Sequence, residues 1–189
     1  MKYNAIKICS AALMKLGSAG ISSFEEGTPE ASIAARLYPL VRDGLISSYP
    51  WNFALRQVKL NRINEDPVAD CKYAYAIPTD ALRLMSVGAA GKSSGVEYYI
   101  LGNNIYTNSS EAILTYISLP QEENFPPFFR DVLVAKLAAE FCLPLTENSV
   151  SAQEFAKRAE NAVAAARLID AQQITPRKVQ DFNLIGVRK

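Results

Sequence analysis

The apolar positions of this chain change their period twice. From Asn4 to Leu16, the residues Ile6, Cys9, Leu13 and Leu16 recur at spacings of three and four, which predicts an amphipathic helix stopped by Gly17. After a Gly- and Ser-rich loop, Thr28-Pro29-Glu30 supplies an N-cap, a residue suited to the first helical position and a charge that complements the helix dipole. Ile33, Leu37, Leu40, Val41 and Leu45 then form a second apolar stripe, with Pro39 inside it and Pro50 as the latest stop.

From Trp51 to Leu119 the pattern shortens to runs of β-branched and aromatic residues. Phe53–Leu60, Tyr73–Ile77, Leu82–Val87, Val96–Leu101, Ile105–Thr107 and Ala112–Ile117 read as short strands. Gly102-Asn103-Asn104 marks a tight hairpin between two of them. Beyond Pro120 the helical period returns. Pro126-Pro127 open a third helix carrying Phe128, Val132, Ala135, Leu137 and Phe141, expected to end at Pro144. A fourth is expected to start on the capping box Ser151-Ala152-Gln153-Glu154, with Phe155, Ala159, Ala162, Val163, Ala166 and Ile169 as a narrow, alanine-rich stripe. Residues 175–189 hold no clear period.

These elements predict an α+β, mainly α protein: a four-helix bundle formed by residues 1–50 and 120–174, a small antiparallel β-domain inserted at 51–119, and an extended C-terminal tail at 175–189. The tail carries Arg177, Lys178, Arg188 and Lys189 against Asp181, with Phe182, Leu184, Ile185 and Val187 between them. So short an apolar-basic segment cannot bury itself alone, which makes it a candidate docking element.

Composition narrows the chemistry. About half of the residues are apolar (49%), enough for a substantial core, and 20 basic residues nearly balance 19 acidic ones. The electrostatic footprint of a nucleic-acid binder is therefore missing. Histidine is absent, which removes the usual general base and the commonest metal ligand. Cys9, Cys71 and Cys142 are widely spaced and odd in number, as expected of reduced thiols in a protein made in the cytosol. No signal peptide or membrane span is expected.

Gly91-Lys92-Ser93-Ser94-Gly95 lacks the spacing of a phosphate loop and reads as a turn. The acidic pairs Glu25-Glu26 and Glu122-Glu123 read as complements to helix N-termini rather than cation ligands. Tyr73, Tyr75, Tyr98, Tyr99, Tyr106 and Tyr116 lie among few basic residues, so cross-strand packing or a protein-facing patch is expected before base stacking. No catalytic, cofactor-binding or metal site is expected, and the chain does not read as an enzyme.

Several segments, taken in order, carry a resemblance. They are Ala11-Ala12-Leu13 leading to Leu16-Gly17, Ile21-Ser22-Ser23-Phe24-Glu25-Glu26, Arg42-Asp43-Gly44-Leu45 and Pro50-Trp51-Asn52-Phe53-Ala54. After them come the run from Tyr73 to Arg83, the run Gly102-Asn103-Asn104-Ile105-Tyr106-Thr107, and Phe125-Pro126-Pro127-Phe128-Phe129. The ordered set, spanning roughly residues 4–160, resembles the tail tubular protein A family, the head-to-tail adaptors of short-tailed bacteriophages.

The resemblance implies a dodecameric ring in the virion, assembled in the host cytoplasm. That ring would join the portal protein to a tail tube or nozzle protein and pass genomic DNA through its lumen without specific binding. It places Arg177, Lys178, Phe182, Leu184, Ile185, Val187 and Arg188 at the portal, and Trp51 and Phe53 at the junction of bundle and insertion. Arg42, Asp43 and Arg83 become candidates for ion pairs between ring neighbours, with solvated surface charge as the default reading. A neck or tail-completion protein of a longer-tailed phage or prophage is the alternative.

Overall fold

The structure is a computed structural model that describes residues 3–64 and 71–174. Helix α1 spans Ala5–Lys15 and α2 spans Pro29–Ser48. Six strands follow: β1 Leu55–Lys59, β2 Tyr73–Ala76, β3 Ala81–Gly88, β4 Tyr98–Leu101, β5 Asn104–Thr107 and β6 Ile113–Ser118. Helices α3 (Pro127–Thr146) and α4 (Ser149–Ala171) complete the order.

Local chemistry sets most element ends. The Asn4 side chain accepts the Lys7 N–H at the head of α1, and Gly17 beyond its end takes a positive φ of 79°. At the head of α2, Thr28 Oγ1 accepts the Ala31 N–H with Pro29 next in line. Two ends differ from expectation. Helix α3 runs through Pro144 to Thr146, where the Thr146 hydroxyl donates to the Cys142 carbonyl at 2.7 Å and Glu147 caps the helix at a left-handed φ of 52°. Pro144 forfeits only the bond that its N–H would have made to the Glu140 carbonyl, and one missing bond this close to the C-terminus does not end the helix. Helix α4 starts a turn before Ser151-Ala152-Gln153-Glu154, because Asn148 accepts the N–H groups of Val150 and Ser151. The cap follows directly from the left-handed turn at Glu147, so the expected capping box lies inside the helix.

The expected four-helix bundle with one small inserted β-domain is not found. Helix α3 is the hub: α1, α2 and α4 each pack on it, whereas α1 and α2 touch little and α2 and α4 stand apart. The reason lies in the side chains. Phe129, Val132, Leu133, Val134, Leu137, Ala138, Phe141 and Cys142 bury α3 on nearly every side, the habit of a central helix. By contrast α4 buries a single row, Ala159, Val163, Ala166 and Asp170, so it has one partner face.

The β-region is two antiparallel three-stranded sheets, ordered β1-β6-β3 and β2-β5-β4. Strand β6 serves two cores. Ile117 joins the helical core, while Leu114 and Tyr116 join a second core with Leu60, Tyr75, Val87, Ile105 and Ala112. The first sheet is thus a middle layer, with helices on one side and the second sheet on the other. Gly88 ends β3 where a Cβ would fall 1.9 Å from the Lys92 carbonyl oxygen, so loop 89–97 folds back on its strand only over a glycine. The expected tail at 175–189 lies outside the described residues.

Candidate interaction site

The chain leaves α2 through Tyr49-Pro50-Trp51-Asn52-Phe53, and this short link meets the head of α3. Trp51 is fully buried, and its indole N–H donates to the Leu45 carbonyl at 3.0 Å. Its ring meets Tyr49 and Phe129 edge-on, at 4.9 and 5.3 Å between centroids. Phe53 lies 4.7 Å from Phe129 and 6.0 Å from Phe125. Edge-to-face packing of this kind adds to simple area burial and fixes the angle at which chain and helix cross. Trp51 and Phe53 therefore hold the sheet layer to the helices, and Trp51 offers no surface to a partner.

Next to this cluster, Asn52 closes a link that sequence reading missed. Its backbone N–H donates to both carboxylate oxygens of Asp170 at 3.2 Å, and its side-chain amide donates to the Asp170 carbonyl at 2.7 Å. Asp170 is 1% exposed. Burial pushes its pKa up, and the Asn52 N–H opposes that rise. A carboxylate in the last turn of α4 also opposes the helix dipole, so only the specific Asn52 contact explains its position. In sequence it is merely one acid among surface charges.

The charged residues proposed for contacts between neighbours are engaged within the chain. Arg42 pairs with Asp43 at 2.7 Å and Glu122 at 3.0 Å, and Tyr38 also donates to Glu122. Burial alone would lower the Arg42 pKa, but Asp43 and Glu122 hold it above its ordinary value. Arg83 donates to the Ser47 carbonyl at 2.9 Å. Glu26 accepts from Ser22 and Thr28, which staples the loop before α2 and holds its carboxyl below the usual range, chiefly through the Ser22 N–H.

Among the described residues, two apolar surfaces stand out as open. The first is a groove of about 650 Å³ between α2 and α4, floored by α3. Leu37, Leu40, Val41 and Leu45 form one wall, Val163 and Ala164 the other, with Lys136, Glu140, Glu160 and Arg167 as its charges. Leu40 is 70% exposed here. The second is β4, an edge strand in which Tyr99, Ile100 and Leu101 are all exposed. The other tyrosines are mostly occupied: Tyr75 and Tyr116 are buried with their hydroxyls bonded to the Ser109 carbonyl and Asp80, and Tyr73 stacks with Arg62. Tyr99 faces Tyr106 across the β4–β5 ladder.

Among the described residues, no three Cys, Asp or Glu side chains converge as metal ligands, and no helix is long and apolar enough to cross a membrane. Cys9 and Cys142 are buried and Cys71 half-buried, all three as free thiols, and burial pushes Cys9 up to about 12. Arg177, Lys178, Phe182, Leu184, Ile185, Val187 and Arg188 lie outside the described residues. No protein-family model matches the chain, and no curated protein matches it.

Proposed function

We propose that the chain is a non-enzymatic subunit of a phage head-to-tail adaptor ring, joining the portal to the tail at the head-tail junction of the virion and leaving a lumen for the genome. The reading begins from the ordered resemblance to the tail tubular protein A family. The observation that carries it furthest in the fold is the pair of unlike apolar surfaces left open on one subunit, the α2–α4 groove and the β4 edge. A closed ring needs heterologous contacts, in which one patch meets a different patch on the next copy. A subunit with two dissimilar open faces suits that geometry better than a self-complementary dimer does.

Near-neutral charge supports the same reading, since a lumen lined to grip phosphates would retard DNA passing through it. The Trp51 cluster fits a subunit that must keep its layers rigid while its outer faces bind.

The test is to mix the purified chain with a portal protein from the same genome and image the product by electron microscopy. A ring of this chain under the portal is expected, with Leu40→Glu or Ile100→Glu preventing ring closure. A chain that stays monomeric and leaves the portal bare at micromolar concentration would overturn the reading.

A further inference from the structure

The β4 edge and the α2–α4 groove are complementary in shape and in chemistry. β4 is a four-residue edge strand whose side chains alternate, Tyr99 and Leu101 on one face and Ile100 on the other, and all three are exposed. From Tyr98 to Thr107 the hairpin carries no charged residue. The groove is apolar on both walls, but the walls are unequal. Helix α2 supplies Leu37, Leu40, Val41 and Leu45, whereas α4 supplies only Val163 and Ala164. A strand entering edge-first would present an apolar face to each wall, and the face with the larger side chains suits the smaller wall.

An edge strand also brings its backbone. Alternate residues of an antiparallel strand turn N–H and C=O away from the paired neighbour, so half of β4 offers both groups outward. Buried without partners these groups are costly, and a purely apolar groove would reject them. This groove holds both kinds of partner. Lys136 and Glu140 lie on its α3 floor, Glu160 and Arg167 on its α4 side, so carboxylates are placed to accept from N–H groups and cations to donate to carbonyls. Among the described residues, Lys136, Glu140 and Glu160 take no ion-pair partner that would compete.

The chain cannot make this contact with itself. The groove lies in the helical layer and β4 in the outer sheet, and the β1-β6-β3 sheet stands between them. We propose that the β4 edge of one copy inserts into the α2–α4 groove of the next. Ile100 then packs on Leu40 and Val41, Tyr99 and Leu101 on Val163 and Ala164, and the outward backbone groups meet the four charged side chains. The lengths agree. From Leu37 to Ser48 the groove wall is about 16 Å long at the helical rise per residue, and β4 is about 14 Å long at the rise of an antiparallel strand. Each copy gives one edge and receives one, which is the heterologous contact that a ring repeats. The inference rests on the ring reading above and names the two faces that meet.

Cross-linking tests it in the full chain, with and without a portal protein from the same genome. Cys71→Ser removes the half-buried thiol and leaves the buried Cys9 and Cys142. A Leu40→Cys chain mixed with a Leu101→Cys chain and a short bifunctional thiol reagent should give a dimer of one of each. Its yield should be severalfold above that of either variant alone. It should exceed by as much a mixture of Leu101→Cys with Met14→Cys, an exposed position on α1. Both substitutions in one chain should give a ladder that continues past the dimer. Glu140→Lys with Glu160→Lys leaves the groove without acceptors and should lower the mixed link severalfold. A mixed yield no higher than the controls in either arm would overturn the proposal. So would a ladder that stops at the dimer, which is the result for a reciprocal pair, or a link undiminished by the two lysines. Rings imaged under the portal without the mixed link would reject this contact and leave the adaptor reading standing. The mixed link and its ladder in a chain that leaves the portal bare would do the reverse.

Discussion

The aromatic junction and the α2–α4 groove lie side by side and share α2 and α3, yet one is closed and the other open. At the junction, Trp51, Phe53, Phe125 and Phe129 fill the angle between α2, α3 and the sheet layer with large rings. At the groove, α4 offers Val163 and Ala164 opposite Leu40 and Val41, too little volume to bridge the gap. Side-chain size at the contact sets how closely two helices approach α3 and whether they meet each other. The same helices thus store stability on one side and present binding surface on the other.

That contrast breaks first at Trp51. Trp51→Ala should destabilise the chain by about 3–5 kcal/mol, the usual cost of deleting a buried large aromatic. The midpoint of urea unfolding reads it. A loss below 1 kcal/mol would mean that the ring cluster does not hold the layers together.

The Asn52–Asp170 link should matter less but more specifically. Asp170→Ala leaves the Asn52 N–H without its acceptor, at a cost of about 1–3 kcal/mol. Hydrogen exchange should show loosening at residues 167–171, leaving the Tyr75–Leu114 core unaltered.

The pH dependence sharpens the same point. Asp170 has its pKa raised in the fold, so between its unfolded and folded values the folded state holds the extra proton. Its contribution to stability is fully present below the unfolded pKa and lost as pH rises through the folded one. Glu26 and Glu111, the latter held below its ordinary value by the Lys59 ammonium and the Ala90 N–H, act in the opposite sense. The readout is therefore a difference: relative to Asp170→Asn, the native chain should gain stability as pH falls from neutral toward the ordinary carboxylate range. Parallel pH profiles would show that Asp170 is not ionised against a penalty at neutral pH.

The smallest effect belongs to the groove. Leu40→Ser should change stability by less than about 0.5 kcal/mol, because the residue is mostly exposed in the described fold. A loss near that of Trp51→Ala would mean that the groove is filled as firmly as the junction.

Much of the local structure was legible in the chain. Thr28-Pro29 marks the start of α2, and Gly102-Asn103 the β4–β5 hairpin, because capping and turn geometry depend on a few adjacent residues. The helix ends at Pro144 and Ser151 were misread for a related reason. Several residues there can cap, and the left-handed turn at Glu147 decides that Asn148 does. Asp170 was invisible because its partner, Asn52, lies 118 residues away.

The sequence by itself determined which segments are helical and which are extended, whereas the central place of α3 shows only in the structure, where it is buried on nearly every side. Only the tertiary structure decided that α2 and α4 flank it without meeting, that the strands divide into two sheets, and that β6 serves two cores. Periodicity reports which face of an element is apolar, whereas the distance between two faces depends on the volumes filling the space between them. That space is filled with aromatic rings at Trp51 and left open at Leu40.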